Sequence, residues 1–137
     1  MSAGGLPAEE LERIVDGWIR HALLRDPADF WAWERANAVV RADAEDGWRL
    51  VKALVETAPD SLLGGVGAGP LQDLVVRHGP AVIDRVEGRA RRDERFRECL
   101  AQIWLAADEV PEAVVTRLQQ ATGNRILVGD LIADDDV

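Results

Sequence analysis

Apolar residues recur three and four apart along almost the whole of this chain, a spacing that lines up one side of an α-helix rather than one face of a strand. After Pro7, a residue suited to a first helical turn, Leu11, Ile14, Val15, Trp18 and Ala22 form such a stripe. Asp26-Pro27 joins a capping side chain to a first-turn proline and predicts a second helix with Phe30, Trp33, Ala36 and Val40 inward. A third helix, from about Ala44, aligns Trp48, Val51, Leu54, Val55 and Ala58 before Pro59 ends it. No sustained two-residue alternation competes outside the C-terminal tail, so the predicted class is all-α.

The run Gly64-Gly65-Val66-Gly67-Ala68-Gly69 predicts a helix-breaking hinge that folds the first three helices back on the rest. Pro70 opens a fourth helix with Leu71, Leu74, Val75 and His78 on one face, and Gly79-Pro80 stops it. A fifth presents Val82, Ile83, Val86 and Ala90. Asp93 reads as the cap of a sixth carrying Phe96, Cys99, Leu100, Ile103, Trp104 and Ala107, and a seventh follows Pro111 with Val114, Leu118 and Ala121 inward. The expectation is one domain over residues 1–137, a single compact bundle of six to seven short helices in antiparallel pairs, with 1–6 and 129–137 as flexible ends.

Several of these residues also form a pattern. Gly69-Pro70-Leu71-Gln72-Asp73-Leu74, then His78-Gly79, Ile83-Asp84-Arg85-Val86-Glu87, Phe96-Arg97 and Trp104 resemble a group of small bacterial domains of uncharacterised function. The resemblance covers about residues 15–118, and Gln72 stands where glutamate is more usual in that pattern. It implies a fold and no chemistry.

Composition narrows the functional classes. The formal charge of −9 repels nucleic acid and anionic membrane and favours, if anything, a basic protein partner. No apolar run reaches the roughly 18 residues of a membrane span, and the N-terminus lacks a basic start and an apolar signal core, so a cytoplasmic protein is expected. Cys99 is the only cysteine, on a core stripe, where it reads as an inert thiol. Two histidines without metal-ligand spacing predict no metal, and no cofactor is expected.

The glycine run lacks the Lys-Ser/Thr of a phosphate loop and a strand before it, so a structural role is favoured over phosphate binding. An enzyme reading would place a shallow site at Asp73 and His78, assisted by Arg77, whereas the plainer role for His78 is to pack or to cap a carbonyl. Six arginines between Arg85 and Arg97 read as internal ion pairs, with Glu87 and Arg97 as the expected pair. Trp31 falls opposite its helix's apolar stripe and is a candidate contact anchor, with Asp43, Glu45 and Asp46 as acidic partner-binding residues. Asp134, Asp135 and Asp136 read as solvated tail. The favoured function is a protein-binding module of regulatory or immunity type that masks a basic partner. The alternatives are that enzyme and a homo-oligomer packed through the apolar patch Ile126 to Ile132.

Overall fold

In a computed structural model, which describes residues 5–106 and 108–129, helix α1 spans Ala8–Leu24 and buries Ile14, Val15 and Trp18. Pro7 precedes its first turn, and Glu9 and Glu10 sit where a helix N-terminus favours negative charge. Arg25 ends it in the left-handed region (φ 57°), its backbone N–H donating to the His21 carbonyl. Asp26 then accepts the Ala28 N–H at 2.9 Å and starts a short 3-10 turn, Pro27–Asp29, that leads into α2, Phe30–Ala42.

The inward stripe of α2 is Ala32, Ala36, Val39 and Val40, while Phe30 and Trp33 are exposed. This corrects the expected stripe, and the reason is the crossing with α1. A Cβ on Gly17 would lie 2.6 Å from the Cβ of Ala32, so the two helices meet backbone to backbone and only small residues fit between them. The bulky rings are turned out as a result.

Asp43 caps α3, Ala44–Thr57, by accepting the Asp46 N–H at 2.8 Å, and α3 buries Trp48, Leu50, Val51, Leu54 and Val55. Leu6, assigned by sequence to a flexible end, is buried and fastened to α3. Its N–H donates to Asp46 Oδ1 and its carbonyl accepts from Arg49.

The glycine run is helical, which corrects the expected hinge. A 3-10 turn, Asp60–Leu62, leads to α4, Leu63–Val66, and then to a π turn, Gly67–Leu71. Pro70 has no N–H to give and its ring crowds the preceding turn, and the chain widens there so that Gln72 N–H reaches the Gly67 carbonyl five residues back. Helix α5, Gln72–Arg92, follows without a break. Its deviation at His78 (φ −131°, ψ 19°) is the kink of Pro80, so the expected fourth and fifth helices are two arms of one bent helix.

Helix α6, Glu94–Leu100, is capped by Asp93, whose Oδ1 accepts the Phe96 N–H. It ends earlier than expected. Trp104–Ala106 is a strand, β1, paired in parallel with β2, Leu127–Gly129, in the register Trp104 to Leu127, with α7, Glu112–Thr122, as the crossover. Trp104 is therefore half-buried on a strand instead of lying on a helical core stripe. The fold is all-α, with six helices of seven residues or more and this two-stranded sheet among the described residues. Phe96 meets Trp48 edge-on at 5.6 Å within a core to which α1, α2, α3, α5, α6 and α7 all contribute.

Candidate functional site

The residues of the enzyme reading do not converge. His78 Nε2 donates to the Val40 carbonyl on α2 at 2.8 Å, which fixes the proton on that nitrogen and engages the ring in packing. No ion pair or hydrogen bond joins Asp73 to Arg77 or to His78. The neighbouring motif residues are structural: Leu71 and Pro70 are buried in the π turn, Gly69 faces open space, and Gln72 Oε1 accepts the Trp104 N–H at 2.9 Å.

The basic island is consumed internally. Arg85 pairs with Glu45, Arg89 with Glu56 and Asp93, Arg91 with Glu87, and Arg95 with Asp60. Arg92 donates to the Gly88 carbonyl and Arg97 to that of Ala90. Glu87, 9% exposed, therefore does not pair with Arg97. Its partner is Arg117 on α7, which donates through Nη2 at 2.6 Å and Nε at 3.3 Å and also reaches Asp84. The hydrogen bond from Arg117 holds the Glu87 carboxyl below the ordinary glutamate range.

The acids suggested for partner contact are likewise engaged. Asp43 caps α3, Asp46 holds Leu6 and Arg49, and Glu45 meets Arg85 at 2.6 Å. Cys99 donates to the Leu63 carbonyl, and burial pushes its thiol up to about 12. Among the described residues no three His, Cys, Asp or Glu side chains gather as a metal would require, and no helix is long and apolar enough to cross a membrane.

The surface has one distinct concentration of apolar side chains, where α1 ends and α2 begins. Leu23, Leu24, Phe30, Trp31 and Trp33 are five of the seven large apolar residues left exposed among the described residues. Phe30 and Trp33 stack at 5.4 Å, and His21 meets Phe30 edge-on at 5.6 Å. Behind them lies a cleft of about 210 Å³, lined by Trp18, His21, Arg25 and Trp33 and closed by Leu62 and Gly65 from the far side.

A family model described as a family of unknown function, DUF6869, matches residues 21–126. The chain belongs to this family. No curated protein and no solved structure matches it. The DUF6869 match takes in the bent helix with its π turn, the Glu87–Arg117 pair and most of the cleft, but begins after Trp18. Along this DUF6869 chain the sequence pattern puts Trp31 at the surface but turns Phe30 and Trp33 inward, where the structure exposes all three. The available signal was Gly17 facing Ala32, since small residues on adjoining helices mark the side where backbones approach.

Proposed function

We propose that this DUF6869 domain is a protein-binding module, of the regulatory or immunity kind that covers a basic partner. The observation that carries the reading is the exposed stack of Phe30 on Trp33 at the start of α2, with Leu23 and Leu24 exposed at the end of α1 and Trp31 exposed on the other side of α2, beside Gly17. Aromatic residues are enriched in the cores of protein interfaces, and tryptophan is among the residue types that most often carry the binding energy there. The charge of −9 supports a basic partner, through long-range attraction that speeds encounter. Asp43 and Glu45 are exposed and contribute to that attraction together with the rest of the acidic surface.

The test is capture of the partner from the native host, followed by kinetics with the two purified proteins. Trp31→Ala and Trp33→Ala should each speed dissociation about tenfold or more, and added salt should slow association. A captured protein that binds both variants like the parent would overturn the reading.

A further inference from the structure

We infer that the outer edge of β2 is a docking site for an extended, basic segment of a partner chain, added to the sheet as a third strand. The site is built from β2, the start of α7 and the turn before it, and does not rest on the Phe30–Trp33 stack.

The two edges of the sheet are finished differently. In a parallel pair, alternate residues turn their N–H and C=O groups away from the partner strand. The Leu127 N–H donates to the Ile103 carbonyl, so Leu127 faces β1, while Ile126 and Val128 turn their backbone groups outward, as do Trp104 and Ala106 on the opposite edge. On β1 both outward N–H groups are taken by side chains, Trp104 by Gln72 Oε1 and Ala106 by Glu109 Oε1, each at 2.9 Å. That edge offers no free donor. On β2 the Gln119 amide serves Ile126 as a neighbouring strand would, accepting its N–H at 3.1 Å and donating to its carbonyl at 2.9 Å. Val128, next in line, has no partner for its N–H or its carbonyl among the described residues.

The side chains set the chemistry of the added strand. Val128 pairs with Leu105 across the sheet and so points to the same face. Leu105 is fully buried, whereas Val128 is 43% exposed and lines an open cleft of about 390 Å³ with Val110 and Val115. The core face of the sheet thus runs out to an apolar shelf that no described strand covers. The rest of the cleft lining is Asp108 and Glu112, with no basic residue. A fitting segment sets apolar side chains on the shelf and lysine or arginine against the two carboxylates, while its main chain completes the ladder at Val128. A second copy of this chain, with a charge of −9, would instead bring like charges to the cleft.

The test titrates the full chain with three short peptides: one alternating lysine and valine, its twin with glutamate for lysine, and a twin N-methylated throughout, which cannot complete the ladder. The lysine peptide should shift the Val128 amide resonance saturably, slow its hydrogen exchange and bind about tenfold more tightly than the glutamate twin, and the N-methylated twin should not bind. Val128→Pro removes an outward N–H, leaves the pairing to β1 in place and should abolish binding. Asp108→Asn together with Glu112→Gln, both exposed, should erase the preference for lysine, and asparagine suits the left-handed backbone at 108 (φ 71°). Trp33→Ala should leave peptide binding unchanged, which keeps this outcome separate from that of the aromatic face. No saturable shift, equal binding of the lysine and glutamate peptides, or binding that survives Val128→Pro would each overturn the inference. So would exchange at Val128 already slowed without peptide, whether it depends on protein concentration, as for a second copy, or does not, as for the residues after Gly129.

Discussion

The side-chain oxygen of Gln72, the first residue of α5, accepts the backbone N–H of Trp104, the first residue of β1, at 2.9 Å. One amide thereby ties the bent helix to the start of the sheet. Only the acceptor is used, so Gln72→Glu should keep the link, whereas Gln72→Leu leaves a half-buried N–H unpartnered and should cost about 1–3 kcal/mol. Urea unfolding and hydrogen exchange at Trp104 would check both.

The glycines of the run should differ sharply on substitution. A Cβ on Gly67 would fall on the Cys99 backbone carbonyl, well inside van der Waals contact, and no side-chain movement relieves a clash with backbone. Gly67→Ala should cost about 3 kcal/mol. Gly65→Ala, within α4, meets nothing within 4 Å and should be neutral or stabilising by up to about 1 kcal/mol. Thermal melts of the two variants provide the comparison.

Glu87 should couple to Arg117 and not to Arg97 in double-mutant cycles. Its pH dependence follows from the lowered carboxyl. The folded state binds that proton more weakly than the unfolded chain, so the stabilisation is complete above the ordinary glutamate value of 4.5 and is lost as pH falls through the lower folded value. The stability gap between the parent and Glu87→Gln should be widest near neutral pH and close in acid, as followed by denaturant midpoints.

Acrylamide should quench Trp31 and Trp33 to similar extents, since they are 44% and 42% exposed, and should barely reach Trp18 and Trp48. Single-tryptophan variants resolve the four. A shielded Trp33 would remove the outward face from which the binding reading starts.

Cys99 should resist thiol reagents in the folded protein, because a buried thiol pushed up to about 12 offers almost no thiolate. Labelling by a disulfide reagent should track global unfolding across a urea series. Rapid labelling in native buffer would contradict the packing around α6.

The parts of this fold legible in the sequence are those set by local periodicity. The stripes of α1 and α3 are read directly because their buried residues are large. The stripe of α2 is hidden because close contact with α1 selects alanine there, and hydrophobicity alone points to Phe30 and Trp33 instead. The strands are three residues long, too short to show a period, and Trp104 carries on the spacing of α6 by coincidence. The burial of Glu87 could be inferred from its place beside Val86 and Ala90, but its partner comes from α7, thirty residues away, through a crossover that no local signal announces. The acid run Asp134 to Asp136 and the residues from Asp130 to Ile132 lie outside the described residues.

The π turn at Gly67–Leu71 separates chain length from helical phase. In an ordinary helix each added residue swings everything beyond it by about 100°, which would carry Leu74 and Val75 out of the core and His78 away from Val40. A turn of wider circumference takes up one residue without that swing, so the buried side of α4, at Val66, and that of α5 remain in step. A relative one residue shorter between Gly64 and Gly69 could therefore close the turn to normal pitch and still deliver the same side chains to the same neighbours.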